Sequence, residues 1–289
     1  MISQRDLSLI SNDLYKDSGG RRIPDQTIEL DYALGWFLSE LSQNPFGTHL
    51  AFKGGTALRR CYFGEYRFSE DLDFTLLNSA TFDEVVAAFN EVGESVRDAS
   101  GMDFVFARPD GQQRLNSHTF YMEFTGPMRR ARTFKVDMTI NETIVHDLEM
   151  RPILATYDAY DFPSGCTVKT YSVEEIATEK IVALTDKARS QPRDLFDIWK
   201  LHEEFGIELA ELANPIAQKL AFRGRDAENL ENLFSRKEAV LKATWSARLD
   251  PQMSSTPPFD GVFREVKRAF RQSDVFSLVQ TEHQRLKND

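Results

Sequence analysis

The sequence predicts a mixed α/β (α+β) first half, in which helices flank a small mixed sheet, followed by an all-helical C-terminal half. Short segments in which apolar and polar residues alternate recur between residues 49 and 140. Amphipathic helical patterns lie among them, and after about residue 165 the patterns are helical almost to the end. Alternation with period 2 is typical of strands and a 3.6-residue period of helices. We therefore predict one domain over residues 1–165 and a helical domain over residues 166–289.

Composition limits the class of protein. A chain of 289 residues can build a large core, and none of its apolar runs is long enough to span a bilayer. The N-terminus lacks the apolar core of a secretory signal, and two cysteines, Cys61 and Cys166, are too few for a disulfide framework or a zinc cluster. A net charge of −10 argues against nonspecific coating of nucleic acid. We predict a cytoplasmic protein without a membrane partner.

The first elements lead to a pair of glycines. Residues 25–43 are amphipathic and predict a helix, and "HLAF" (49–52) is a short buried strand candidate that runs into Gly54 and Gly55. "TALRRCYF" then predicts a helical turn or two. Such a junction lets backbone N–H groups approach an anion closely at the start of a helix. The alternative is an ordinary tight turn.

The next segment, "DLDFTLL" (71–77), alternates so that Asp71 and Asp73 share one face of a strand. Two carboxylates this close are costly to ionise together without a cation between them. Their oxygens suit Mg²⁺ that is bound together with substrate phosphates. The alternative is the solvated outer face of an edge strand.

After a predicted helix at 82–92, strand patterns recur at 102–107, 118–125 and 132–140. In the last of these, Asp137 lies on the polar face, where a third carboxylate would complete a two-metal site. The alternative is a routine exposed residue. The stretch "RRARTFK" contains four cations and no acid, and it is the patch at which an acidic protein could dock nucleic acid. Its cations are Arg129, Arg130, Arg132 and Lys135.

The helical half opens with "SVEEIATEKIVALTDKARS" (172–190), in which Ser172 and Glu175 form a capping-box pattern. Lys180 lies with the apolar stripe of this helix, so that it either extends to solvent or reaches a buried anion. Arg189 would close the helix, where a cation suits the helix dipole.

Another helix is predicted from Pro192, and its first turns hold Asp194 and Asp197 on a common side. Acids in a first turn stabilise a helix by default. The alternative is that they serve a site together with the preceding cations.

Taken in this order, the motifs resemble a known family. "FKGGTALRRCYFGEYRFSEDLDF" resembles the signature of the AbiEii-type nucleotidyltransferase toxins, which include the mycobacterial Men toxins and belong to the polymerase-β-like superfamily. "EIATEKIVAL" and "KARSQPRDLFDIW" are similar to the downstream motifs of the same family. The resemblance covers about residues 45–205.

The resemblance implies roles for individual residues. The nucleotide-binding set would be Lys53, Gly54, Gly55, Thr56, Ser69 and Arg189. The metal ligands would be Asp71, Asp73 and Asp137, with two Mg²⁺ ions. Lys180 would contact phosphate and Asp194 would be the last catalytic acid, a role for which Asp197 stays open. Phosphorylation of Ser69 would place a dianion beside two aspartates and block the site.

The resemblance also implies a function. Members of the family add nucleotides, often pyrimidines, from an NTP to the 3′ end of tRNA, which blocks aminoacylation until an antitoxin acts. One alternative keeps the nucleotidyltransferase activity but changes the acceptor to a hydroxyl of a small molecule or a protein. A second alternative is a non-catalytic module that senses nucleotide.

Overall fold

The computed structural model describes residues 1–18, 20–112 and 116–288, which form two compact units. The sheet unit contains Met1–Glu142, Leu148–Thr170 and Pro251–Ser255. The helical unit contains Thr143–Asp147, Tyr171–Asp250 and Thr256–Asp289. The main boundary between the two units thus follows Thr170. In addition, residues 143–147 belong to the helical unit and residues 251–255 to the sheet unit. The single boundary predicted between residues 165 and 166 does not include these two exchanges.

Within the described residues, seven strands form one mixed sheet, in the spatial order β3-β4-β5-β2-β1-β7-β6. The strands are β1 (Leu50–Lys53), β2 (Asp71–Leu76), β3 (Asp103–Pro109), β4 (Ser117–Thr125), β5 (Ala131–Thr139), β6 (Leu148–Pro152) and β7 (Thr167–Tyr171). β2 runs parallel to β5 and antiparallel to β1, while β1 runs parallel to β7. β4 is antiparallel to both β3 and β5. The mixed sheet confirms the predicted fold class, although β6 and β7 were not predicted.

Helices cover the apolar face of this sheet. The helices of the sheet unit are α1 (Gln4–Ser18), α2 (Asp25–Gln43), α3 (Gly54–Ala57), which continues as a π-helix (Leu58–Phe63), and α4 (Phe82–Ser100). Phe89 of α4 packs between Phe37 of α2, at 5.4 Å between ring centroids, and Phe120 of β4, at 5.4 Å. Phe74 of β2 joins the same cluster. Because the apolar side chains of the strands face α2 and α4, the polar side chains lie on the opposite face of the sheet.

The helical unit confirms the predicted helical C-terminal half. Its helices are α5 (Val173–Leu184), α6 (Pro192–Phe205), α7 (Ala213–Phe222), α8 (Leu230–Ser235), α9 (Glu238–Leu249), α10 (Phe259–Gln272) and α11 (Val275–Asn288). α6 packs against α5, α9 and α10, and α7 packs against α5 and α11. None of the helices in the described part of the chain is long and apolar enough to cross a membrane.

The prediction that the helix of residues 172–190 extends to Arg189 is wrong, because α5 ends at Leu184. The Thr185 hydroxyl donates back to the carbonyls of Ile181 and Val182, both at 3.1 Å. Beyond it, the Lys237 ammonium donates to the carbonyls of Asp186 and Arg189. A distant cation thus satisfies carbonyls in this turn, and Arg189 lies outside the helix.

Candidate functional site

The glycine pair lies directly against the strand that carries Asp71 and Asp73. Gly54 has a φ of +80°, a conformation that L side chains rarely adopt, and a Cβ at this position would overlap Asp73 Oδ2. A Cβ on Gly55 would lie 2.5 Å from Arg67 Nη2 and 3.1 Å from Ser69 Oγ. The two motifs are therefore in contact, and only glycine allows the backbone to approach so closely.

Two polar side chains hold the helical segment that follows the glycines. The Thr56 hydroxyl donates to the carbonyl of Asp71 at 2.5 Å, which joins the start of α3 to the start of β2. Lys53, the last residue of β1, is nearly buried, and its ammonium donates to Thr139 Oγ1 on β5 at 2.9 Å. These bonds keep the backbone of the turn beside the acidic strand.

The register of the strands places Lys53, Asp73 and Asp137 in one row across β1, β2 and β5. Asp71 is paired with Lys135 in the neighbouring row. Directly paired residues on adjacent strands share a face of the sheet. All three predicted metal ligands therefore lie on the polar face, beside two lysines.

Asp137 is engaged through both carboxylate oxygens. Its Oδ1 accepts from the Thr119 hydroxyl at 2.7 Å, and its Oδ2 accepts from the Lys135 ammonium at 2.5 Å. Burial disfavours the charged form of Lys135, but the hydrogen bond to Asp137 and the charges of Asp137, Asp71 and Asp73 outweigh it and raise the pKa of the lysine. Lys135, which the sequence assigned to the basic patch, thus lies among the carboxylates.

These contacts decide which residues fit a metal ion. Within residues 1–18, 20–112 and 116–288, no three His, Cys, Asp or Glu side chains form a ready cluster for a metal. Mg²⁺ commonly takes one or two carboxylates and completes its octahedron with substrate phosphates and water. Asp71 and Asp73, which share a face of β2, fit this mode. Asp137 would join as a third carboxylate while its two oxygens already accept from Thr119 and Lys135.

The segment between the glycines and β2 is held by a distant part of the chain. Arg67 is buried, and its Nη1 donates to Gln252 Oε1 at 3.1 Å, while the amide of Phe68 donates to the carbonyl of Gln252 at 2.7 Å. The sequence patterns did not indicate this role of Gln252. Ser69 is buried, so that its phosphorylation, which stays a prediction, would require this segment to open.

Sequence reasoning also missed a buried ionic cluster that anchors the same helical segment. Asp31 of α2 pairs with Arg59 at 2.8 Å and with Arg60 at 2.9 Å, and it accepts from the Tyr157 hydroxyl at 2.6 Å. Burial would raise the pKa of Asp31, but the two guanidinium charges outweigh it and lower the pKa. An acid within the apolar run "TIELDYALGWFL" was the available signal.

The predicted residues of the helical unit form a second cluster. Lys180 Nζ lies 2.8 Å from Asp194 Oδ1 and 2.8 Å from Asp197 Oδ2, and Arg189 Nε lies 2.9 Å from Asp194 Oδ2. Lys180 thus reaches buried anions rather than solvent. Burial would raise the pKa of Asp194, but Lys180 and Arg189 outweigh it and hold that pKa below its ordinary value. Lys180 and Arg189 thus stabilise the carboxylate form of Asp194.

The predicted capping box is formed only in part. The Ser172 hydroxyl accepts from the amide of Glu175 at 3.2 Å, as predicted. The Glu175 carboxylate instead accepts from the amides of Val145 and His146, at 3.2 and 3.0 Å, and pairs with buried Lys219 at 2.7 Å. Packing of residues 143–147 against α5 therefore replaces the second bond of the box.

The four cations of the predicted basic patch differ in their contacts: some bind other protein groups, and others are exposed. Arg132 Nη1 donates to the carbonyl of Gln26 at 2.6 Å and lies 3.4 Å from Glu29 Oε2. Arg129 and Arg130 are exposed. Of the four predicted RNA-binding cations, these two are the ones most open to a ligand.

Comparisons with known proteins identify the family of this chain. The family model of the nucleotidyl transferase AbiEii toxin, type IV toxin–antitoxin system, matches residues 36–271. The structure is similar to that of the nucleotidyltransferase toxin MenT4 from Mycobacterium tuberculosis H37Rv, with a TM-score of 0.67 and 19% identity over 100% of this chain and 98% of that chain. It is also similar to a putative nucleotidyltransferase from H. pylori, with a TM-score of 0.51 and 16% identity over 91% and 99% of the two chains. None of the curated proteins matches the sequence. The chain belongs to the AbiEii family of nucleotidyltransferase toxins from type IV toxin–antitoxin systems, whose partner is a cognate antitoxin.

Proposed function

We propose that this nucleotidyltransferase toxin transfers a nucleoside monophosphate from a pyrimidine NTP to the 3′ end of tRNA, and so blocks aminoacylation in the cytoplasm. One observation supports nucleotide binding at this site: the backbone at Gly54 lies so close to the Asp73 carboxylate that a Cβ would overlap it. A turn that can cradle phosphate and a pair that can bind Mg²⁺ thus adjoin each other. The choice of tRNA and of a pyrimidine follows from the family resemblance.

The residues of the polar face would divide the work. Asp71 and Asp73 would hold Mg²⁺ together with the triphosphate, and Lys53 and the turn at Gly54 and Gly55 would orient the phosphates. Bound Mg²⁺ neutralises charge on the transferring and departing phosphates. Such transfer depends mainly on positioning and charge neutralisation. The implied roles of Lys180 and Arg189 toward phosphate, and of Asp194 or Asp197, stay predictions.

Labelling of RNA tests the proposal. Purified protein with Mg²⁺ is incubated with total tRNA and each of the four NTPs, labelled at the α-phosphate, and RNA 3′ ends are analysed by mass spectrometry. We expect CMP or UMP at the 3′ end with the wild type. Asp71→Asn should abolish the label, whereas Asp98→Asn, at an exposed position of α4, should retain it.

Other outcomes distinguish the alternatives. Absence of label on tRNA with all four NTPs contradicts the tRNA proposal. Label on a small molecule or on protein would then favour a different acceptor. Nucleotide binding without transfer of a nucleoside monophosphate to any acceptor, and hence without release of pyrophosphate, would favour a sensing module.

A further inference from the structure

Helix α10 carries a row of cations that the sequence patterns did not reveal. Arg264, Lys267, Arg268 and Arg271 follow the spacing i, i+3, i+4 and i+7, which places them on one side of a helix. The apolar residues of α10, among them Phe263 and Phe270, are buried on the other side. We call these four cations the α10 stripe; at 1.5 Å rise per residue, it is about 10 Å long.

The stripe is exposed and largely uncompensated. Arg264, Arg268 and Arg271 are exposed, and Lys267 is half-buried. Arg271 pairs with Glu231 at 2.9 Å, but within the described part of the chain Arg264, Lys267 and Arg268 form no ion pair. Of the two acids of α10, Asp260 is paired with Lys242, while Glu265, next to Arg264 in the sequence, accepts from the neutral indole of Trp199 at 2.7 Å.

This arrangement is unfavourable for the helix by itself. Like charges three and four residues apart repel each other and destabilise an isolated helix. Elsewhere in the helical unit, cations such as Lys200 and Arg223 lie against carboxylates, at 2.9 and 2.8 Å. A chain with a net charge of −10 has acids enough to pair these cations too. The concentration of Arg264, Lys267 and Arg268, which have no ion-pair partner among the described residues, therefore points to an external polyanion.

A groove beside the stripe offers space for such a ligand. It has a volume of about 360 Å³ and is lined by all four cations, by Phe263 and Gln272, and by two carboxylates, Glu238 and Asp260, of which Asp260 is paired with Lys242. Arginine guanidinium groups bind phosphate through two parallel hydrogen bonds, and an amide can contact sugar hydroxyls or phosphate. A row of such groups matches a chain of phosphodiesters.

We propose that the α10 stripe binds the phosphate backbone of the RNA acceptor. This inference rests on the proposed function, because it assigns a docking surface to the tRNA on which the toxin would act. The contacts are to phosphate, so the stripe would supply affinity and not sequence specificity. The α10 stripe would be a second cationic surface, in the helical unit, besides Arg129 and Arg130 of the predicted patch.

The test is the affinity of the full-length protein for fluorescently labelled tRNA, measured by anisotropy at several salt concentrations. We expect the triple variant R264Q/K267Q/R268Q to bind at least tenfold more weakly than the wild type. The slope of log Kd against log salt should fall by about 2, since each lost phosphate contact removes roughly 0.7 from it. The double variant R264K/R268K, which retains the charges, should keep most of that slope and verifies that charge is the cause.

Several results would overturn the inference. An unchanged Kd and salt slope in the triple variant would do so, as would equal weakening by R264K/R268K. Binding of an acidic protein, but not of RNA, to the stripe would also contradict it. The wild type separates this inference from the proposed function: if it labels tRNA and the triple variant binds tRNA equally well, only the stripe fails. If it labels no RNA, the proposed function fails as well.

Discussion

The polar face of the sheet and the Lys180 cluster of the helical unit use the same residue types in opposite ways. On the sheet, Lys135 and Asp137 form a pair whose side chains are 33% and 34% exposed. In the helical unit, Lys180 is 12% exposed, and its partners Asp194 and Asp197 are 2% and 0% exposed. The comparison teaches that the same kind of ion pair is half-exposed on the sheet and buried between α5 and α6, so its loss should cost more stability in the helical unit.

The largest expected effect is on activity, from substitution on the polar face. Asp71→Asn or Asp73→Asn should lower the rate of nucleotide transfer at least 100-fold, because metal-bound charge stabilisation supplies several kcal/mol. The free energy of unfolding should change by less than about 1 kcal/mol, since neither side chain is buried. Initial rates and urea titrations measure the two quantities.

Asp137→Asn is the matched control for this prediction. Both oxygens of Asp137 are already engaged by Thr119 and Lys135, so we expect a smaller loss of rate than at Asp71. Equal losses at the two positions would show that Asp137 exchanges Lys135 for the metal during the reaction.

The next largest effect is on stability, and here we expect the larger loss in the Lys180 cluster rather than on the polar face of the sheet. Lys180→Met should lower the free energy of unfolding by about 3–5 kcal/mol, because it leaves Asp197 buried beside an apolar side chain. Lys135→Met, the matched change on the sheet, should cost less than about 1 kcal/mol. Equal costs in urea titrations would contradict the expected difference between the half-exposed and the buried ion pair.

A smaller effect concerns the backbone beside the polar face. Gly54→Ala and Gly165→Ala impose the same strain, since their φ angles are +80° and +81°, but only the Cβ on Gly54 meets Asp73. We expect Gly165→Ala to cost about 1 kcal/mol and Gly54→Ala about 1–3 kcal/mol more. Gly54→Ala should also weaken NTP binding, measured by calorimetry. Equal behaviour of the two variants would mean that the approach to Asp73 is not required.

The smallest effect at neutral pH is the acid dependence of the Lys180 cluster. The pKa of Asp194 is lowered in the folded protein, so its contribution to stability is present above the unfolded pKa of about 3.9 and is lost as pH falls through the folded value. The difference in unfolding free energy between the wild type and Asp194→Asn should therefore be constant from pH 7 to about 5. It should shrink below about pH 4 in urea titrations. A difference that grows in acid would contradict the lowered pKa.

Local patterns were sufficient for much of the sheet unit. Alternation in residues 71–77 and 132–140 predicted the polar and apolar faces of β2 and β5, and the glycine pair predicted the junction after β1. These features depend on a period of two residues and on backbone conformation, which neighbouring residues determine. The order of the motifs was also sufficient to indicate the AbiEii family.

Other features depend on residues that are far apart in the sequence. β6 and β7 lack a strong alternation and were recognised only in the sheet. Lys135 was assigned to RNA because its neighbours in the sequence are basic, yet its neighbours in space are carboxylates. Similarly, Gln252 holds Arg67 across 185 residues, a contact that no local pattern encodes.

The sequence by itself thus determined the succession of elements, the face on which Asp71, Asp73 and Asp137 lie, and the family. Tertiary structure decided which buried cation neutralises which acid: Lys180 with Asp194 and Asp197, and Arg59 and Arg60 with Asp31. The physical reason is that periodicity arises from the local geometry of the backbone. The partner of a charge, by contrast, depends on burial and distance, which exist only once strands and helices from distant parts of the chain have packed together.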